Sequence, residues 1–195
     1  MIFKAGKLIN EVRACTICAP FLPLGPRPIF QFNPKARILI VGQAPGRKAH
    51  AAGIPFSDAS GDRLRRWLGV SRDEFYDETL FALLPMGFCY PGTGASGDLP
   101  PRPECAAQWR KPMLALLPDI SLTLLMGRYA IDWHLPQERR KPLTGIVAGW
   151  RIHWPNLLVL PHSSPRNTYW LQQHKWFEAE AVPELQARVS GLIRV

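Results

Sequence analysis

Arg37-Ile38-Leu39-Ile40-Val41-Gly42-Gln43-Ala44-Pro45-Gly46 is an apolar run that breaks off into a tight loop. It reads as a buried strand that delivers a loop to the rim of a sheet. In open α/β sheets, ligands bind outside the carboxyl ends of the strands. Gly42 and Gly46 permit close backbone approach, and Pro45 stiffens the turn. Taken alone, the stretch is equally a plain strand-to-helix connection.

Working outward, similar apolar runs recur at residues 79–84, 120–126 and 157–160, each followed by a loop and then a helical pattern. Strands that alternate with helices predict a mostly parallel sheet covered on both faces. Ahead of the first strand lie a helical pattern over residues 5–14 and a proline-rich stretch from Ala19 to Pro34. That stretch is too apolar for disorder, with Phe21, Leu22, Leu24, Ile29, Phe30 and Phe32. Ser60 reads as the N-cap of a helix carrying Leu64, Trp67 and Leu68 on one face. Residues 73–77 read as an acidic turn. Glu104 and Cys105 open a helix to Leu117 that Pro112 interrupts. Gly127 to Trp133 reads as a short helix, and Arg151 to Trp154 as a lead-in or hairpin partner for the strand at 157–160. Helices at 168–174 and 176–193 close the chain. No repeat or linker divides it, so residues 1–195 are expected to form one domain.

The composition narrows the function. Hydrophobic residues make up 47% of the 195, ordinary for a globular chain, and 24 Lys and Arg against 15 Asp and Glu leave a net charge of +9. That balance suits a phosphate-rich partner, because each neutralised phosphate releases counterions. No apolar run reaches the ~18 residues a membrane span needs. The N-terminal residues lack the apolar core of a signal peptide. The expected setting is therefore the cytoplasm, where thiols stay reduced and the four cysteines suit a metal better than two disulfides.

Those cysteines are Cys15, Cys18, Cys89 and Cys105. The two-residue gap between the first pair lets both thiolates reach one metal centre, and the second pair must converge on it in space. Four thiolates suit either a [4Fe–4S] cluster or zinc, and spacing does not separate them. Phe56, in Gly53-Ile54-Pro55-Phe56, is a loop aromatic that could stack on a flat ligand such as a base or fill the core. His162 follows the strand at 157–160 and precedes Ser163-Ser164-Pro165-Arg166. A histidine at a strand's carboxyl end can stabilise a developing anion, while the hydroxyls and Arg166 can contact phosphates. Further basic groups occur at Arg47-Lys48, at Arg63, Arg65 and Arg66, and at Arg139-Arg140-Lys141. Each reads alone as a solvated face, although two flank the loops just described.

Taken together, these landmarks resemble the uracil-DNA glycosylase superfamily, most closely its iron–sulfur family 4 branch. Gly42-Gln43-Ala44-Pro45-Gly46 matches that family's Gly-Glu-Ala-Pro-Gly loop. Gly53-Ile54-Pro55-Phe56 matches its Gly-x-Pro-Phe turn, and Leu125-Met126-Gly127-Arg128 its Leu-Gly-Arg type segment. His162-Ser163-Ser164-Pro165-Arg166-Asn167 is similar to the superfamily's His-Pro-Ser-Pro motif. The four cysteines match as well, so the resemblance favours [4Fe–4S]. It implies a three-layer α/β/α fold with a four-stranded parallel sheet, acting as a monomer on damaged or single-stranded DNA. The implied activity is hydrolysis of the N-glycosidic bond of a flipped deaminated base, uracil or a related lesion. Phe56 would stack on that base. Gly42, Ala44, Pro45 and Gly46 would bind it, and Gln43 would orient water. His162 would stabilise the departing base, and Ser163, Ser164, Pro165 and Arg166 would hold bent DNA.

Some positions depart from the family pattern. Gln43 stands where the family has an acid, and an amide cannot take a proton from water. His50 stands at another usually acidic position and could itself serve as base. Pro85 replaces the asparagine that reads the base, and Ser163 replaces a proline. A non-catalytic binder of damaged or single-stranded DNA is the alternative expectation.

Overall fold

The computed structural model describes residues 2–95 and 97–194. Six strands occur among them: β1 (Ile38–Val41), β2 (Phe81–Leu83), β3 (Thr93–Gly94), β4 (Gly97–Asp98), β5 (Leu122–Met126) and β6 (Leu157–Leu160). β1, β2, β5 and β6 form one sheet in the order β2-β1-β5-β6, with every pairing parallel. Ile38 lies level with Phe81 on one side and Leu122 on the other. Leu124 and Met126 continue the register into Leu158 and Leu160. All four residues of β1 are buried, as expected of a central parallel strand covered on both faces. β3 and β4 form a separate antiparallel pair.

Ten α-helical segments surround the sheet among the described residues. They are α1 (Ile2–Arg13), α2 (Arg47–Ala52), α3 (Ala59–Leu68), α4 (Arg72–Tyr76), α5 (Pro103–Cys105), α6 (Lys111–Leu114), α7 (Arg128–His134), α8 (Leu143–Ala148), α9 (Thr168–Gln173) and α10 (Val182–Ile193). The result is the expected three-layer α/β/α arrangement. α7 packs on β5, α8 on β6 and α10 on α3. The core includes Phe75, Phe81 and Phe177, each fully buried. Trp67 closes one end of it, its indole N–H donating to Glu178 at 2.8 Å.

Local chemistry explains where the elements begin and end, and it corrects several expectations. The cap of α3 is Asp58, not Ser60; its Oδ1 accepts from the N–H groups of Ser60 and Gly61. Residues 73–76 belong to a helix rather than a turn, with Asp77 as its C-cap. Ser71 and Glu74 form a capping box across its first turn, which stabilises even so short a helix. The helix around Cys105 does not simply kink. Residues Ala106–Arg110 take a π-helical step directly ahead of Pro112, whose missing N–H and bulky ring disrupt the ordinary ladder. A second π step, Phe177–Ala181, precedes Pro183 in the same way. Residues 151–154 do not pair as a hairpin strand. A 3-10 turn, Trp150–Ile152, and a cis Trp154–Pro155 peptide lead into β6.

Arg110, carried by the first π step, is only 2% exposed. Its Nη1 donates to the carbonyls of Leu84 (3.0 Å) and Pro85 (3.2 Å), tying down the chain just beyond β2. Its Nη2 lies 2.9 Å from His134 Nε2, which therefore accepts. Burial and then the Arg110 charge push the His134 imidazole down to about 3. The unfolded chain takes up a proton there near 6.5, whereas the folded chain does not. The stabilisation is therefore complete above pH 6.5 and is lost as pH falls toward 3. Urea denaturation at descending pH is expected to show stability falling below pH 6.5 by up to about 1.4 kcal/mol per pH unit from this group. His134→Gln, which keeps an acceptor but does not titrate, is expected to flatten that slope.

Candidate active site

The chain runs from β1 to β2 on one side and then crosses back past β1 to β5 on the other, so the connections beyond β1 and β5 diverge and open a crevice at the carboxyl ends. A cleft of about 430 Å³ lies there. All four parallel strands contribute to its wall: Gly42–Gly46 beyond β1, Pro85 beyond β2, Met126 at the end of β5 and His162 beyond β6. The β1 loop is pinned from behind. The carbonyls of Gly42 and Gln43 accept from the N–H groups of Met86 (2.9 Å) and Gly87 (3.0 Å).

Phe56 lines the same cleft with a φ of 53°, in the left-handed region that an aromatic residue rarely adopts. Its surroundings hold it there. Its carbonyl accepts from Tyr76 Oη at 3.2 Å and Arg65 Nη1 at 3.3 Å, and Tyr76 also donates to the Pro55 carbonyl at 2.9 Å. Arg65 is itself fixed by Asp62 at 2.5 Å and lies over the Phe75 and Tyr76 rings. The Phe56 ring meets Phe75 edge-on, and a Cβ on Gly42 would come within 3.5 Å of its tip. Arg65 is thus structural rather than part of a solvated basic face.

His162 accepts a hydrogen bond at Nδ1 from the Ser164 N–H, 3.0 Å away. A neutral imidazole accepting at Nδ1 carries its proton on Nε2, so the ring's donor edge is Nε2–H. Burial lowers its pKa below the ordinary histidine value, and the charges of Asp58 and Asp98 only partly oppose this. Asn167 Nδ2 donates to the His162 carbonyl at 3.1 Å. Arg63 reaches over from α3 to the Ser164 carbonyl and the Thr168 hydroxyl, both at 3.0 Å, and clamps the loop. Ser164, Pro165 and Arg166 reach the surface, but Ser163 does not. It is fully buried, and its hydroxyl has no partner among the described residues. The expected DNA contact by Ser163 is therefore corrected: its side chain is turned inward in this fold.

The structure does not bring His50 to the cleft. It lies on α2, nearly fully buried, with its ring 5.9 Å from that of Tyr90, and it is not among the cleft-lining residues. Burial and the Arg27 charge lower its pKa. Gln43 does line the cleft, and its amide nitrogen donates to the Leu99 carbonyl at 3.2 Å. Two acidic residues of the cleft were not singled out from the sequence, Asp58 and Asp98, and Asn167 was quoted only as the end of the His162 motif with no role of its own. The capping string around Ser57-Asp58 could have pointed to the first. Asp98 sits in a glycine-rich hairpin with no local signal of a site.

On the far side of the β1 loop, Cys15, Cys18, Cys89 and Cys105 line one narrow, mostly apolar cavity with Trp109, Phe88 and Arg102. All four are free thiols. The Trp109 indole donates to Cys15 Sγ at 3.2 Å, and the Phe88 N–H to Cys105 Sγ at 3.3 Å. Burial pushes the Cys89 thiol up to about 11 and the Cys105 thiol up to about 12. Among the described residues, no three His, Cys, Asp or Glu side chains converge closely enough to hold a single metal ion.

Residues 29–186 match the family model described as the Uracil DNA glycosylase superfamily. The chain belongs to that superfamily. The matched span contains the cleft, from the β1 loop to the His162 loop. A curated relative, the Type-4 uracil-DNA glycosylase of Saccharolobus solfataricus, is 25% identical over 167 residues, covering 81% of this chain and 74% of its own. Within this superfamily member, Gly61 is the tightest point around Phe56. A Cβ at Gly61 would lie 1.8 Å from the Phe56 carbonyl oxygen. Gly61→Ala is therefore expected to destabilise the fold by about 3 kcal/mol in urea denaturation. Gly6→Ala, with nothing within 4 Å, should instead be neutral or stabilising.

Proposed function

We propose that the protein is a DNA glycosylase that hydrolyses the N-glycosidic bond of a flipped deaminated base, uracil or a related lesion. One observation carries this reading: the β1 loop, the constrained Phe56 and the Nε2–H edge of His162 meet at a single cleft. A base inside a duplex is out of reach, so it must leave the stack. Phe56 offers it a rigid ring face, and the Gln43–Gly46 backbone offers amide groups. As the bond breaks, negative charge grows on the base while the sugar takes on oxocarbenium character. His162 donates from Nε2 to that charge, an interaction stronger in the transition state than in the ground state. The depressed pKa of His162 keeps it neutral, with Nδ1 accepting from Ser164. Ser164, Pro165 and Arg166 lie outside the base pocket, where they can hold the strand. The +9 charge supplies affinity for phosphates.

Pro85 lines the pocket but offers no side-chain amide. Recognition of the base edge at that wall is then by shape, which suits a wider range of deaminated bases than uracil, hypoxanthine and xanthine among them. The engagement of Gln43 with Leu99 favours a second reading, a non-catalytic binder of damaged or single-stranded DNA.

The four thiols around one cavity support a [4Fe–4S] cluster held by Cys15, Cys18, Cys89 and Cys105. Zinc would need all four sulfurs about 2.3 Å from a single ion, whereas the thiols here ring a cavity. The N–H groups of Trp109 and Phe88 aimed at sulfur suit cluster thiolates. When bound, the cluster supplies a cross-link between the end of α1, the loop after β2 and α5.

Oligonucleotides carrying single uracil, hypoxanthine or xanthine lesions, single- and double-stranded, test the activity. Release of at least one deaminated base is expected, with none from undamaged DNA. His162→Ala should slow release by about 10²- to 10³-fold. Salt-sensitive DNA binding without release across the panel would establish the non-catalytic reading instead. Anaerobically purified protein is expected to be brown and to contain about four iron atoms per chain. One equivalent of zinc and no iron would overturn the cluster assignment.

A further inference from the structure

Glycosidic hydrolysis leaves a proton on the attacking water, and none of the residues singled out from the sequence can take it at this cleft. The Gln43 amide is not a base. His50 does not line the cleft. The cleft wall holds two carboxylates, Asp58 and Asp98. Asp58 is anchored at the start of α3, where its Oδ1 caps the helix by accepting from two backbone N–H groups, which holds its carboxylate at the helix end. Asp98 comes from the hairpin and arches over the β1 loop. A Cβ on Gly46 would lie 3.3 Å from Asp98 Oδ2, which places the carboxylate directly against the loop's last glycine. The Gln43 amide donates to the carbonyl of Leu99, the next residue along, so the side chain at the family's acid position holds the strand that carries Asp98. On the other side, Thr93 pairs with Asp98, and Gly97 lies so close to the Arg166 guanidinium that a Cβ there would come within 2.5 Å of it. The charge of Asp98 is also felt at His162.

We propose that Asp98 is the water-activating carboxylate of this enzyme, replacing the acid that Gln43 displaces, and that Gln43 is a positioning residue that fixes the hairpin. The proposal rests on the glycosylase reading above. The bond between C1′ and the base nitrogen breaks, and its electron pair leaves with the base, which His162 stabilises. A bond forms between the water oxygen and C1′, and the water proton passes to an Asp98 oxygen. That proton then neutralises the released base anion directly or through solvent, so Asp98 returns to its starting state.

Single-turnover base release by Asp98→Asn is expected to fall by about 10²-fold or more, with lesion-DNA affinity within about threefold of the wild type. The double variant Gln43→Glu with Asp98→Asn should recover about tenfold of the loss, since an acid returns to the loop. Unchanged release by Asp98→Asn, in protein with wild-type circular dichroism and melting, overturns the proposal. A second readout does not need turnover. Oligonucleotides with a cationic pyrrolidine abasic analogue mimic the charged sugar, and a neutral tetrahydrofuran analogue is their control. The wild type should prefer the cationic analogue by about tenfold, and Asp98→Asn should lose that preference. Absence of wild-type release on every lesion would defeat the glycosylase reading. Absence of the analogue preference would separately defeat the placement of Asp98 at the sugar.

Discussion

Parallel pairing forces β1, β2, β5 and β6 to end at the same edge of the sheet, and the rest of the site follows from that constraint. Each strand must be followed by a crossover, and each crossover begins at that edge. With β1 inside the sheet, the connections beyond β1 and β5 diverge and leave a crevice at the carboxyl ends. Four stretches spread over more than 100 residues of chain are thereby collected at one cleft: the β1 loop, Pro85, Met126 and His162.

Holding those groups still requires charge and hydrogen bonding as well as packing. Arg63 and Arg65, two residues apart on α3, leave opposite faces of the helix and act at different places, one on the His162 loop and the other on the Phe56 carbonyl. Arg110 secures the end of β2 from below through Leu84 and Pro85. Part of the positive charge that suggests a nucleic-acid partner is thus used inside the fold. What remains at the surface near the cleft includes Arg47, Lys48 and Arg166, all exposed. The left-handed Phe56 shows why such support is needed. A backbone conformation of this kind persists only where its surroundings over-determine it. Tyr76, Arg65 and the bare α-carbon of Gly61 together do so.

The thiol cavity and the cleft share a boundary. Gly87, hydrogen-bonded to the Gln43 carbonyl, lines the cysteine cavity, while Gln43 lines the cleft. A group held by the four cysteines would therefore buttress the β1 loop from behind, even though it lies outside the base pocket.

Apolar runs bounded by Gly and Pro determined the strands and the parallel class, because period and punctuation are local properties of the chain. The β1 loop, Phe56, His162 and the cysteines were legible for the same reason: each has a neighbourhood of a few residues that names it. That Ser163 is buried was not legible, because the direction of a side chain depends on the backbone path around it. His50 stays out of the cleft because its ring packs toward Tyr90, although the neighbouring Ala49 lines the cleft wall. Asp98 was invisible because its importance lies in what it approaches, Gly46, a contact that crosses 52 residues of chain. A linear pattern encodes which residues form an element. Only the closure of the sheet and the packing of its loops decide which side chains share a wall, because that choice is made by contacts that have no counterpart along the chain.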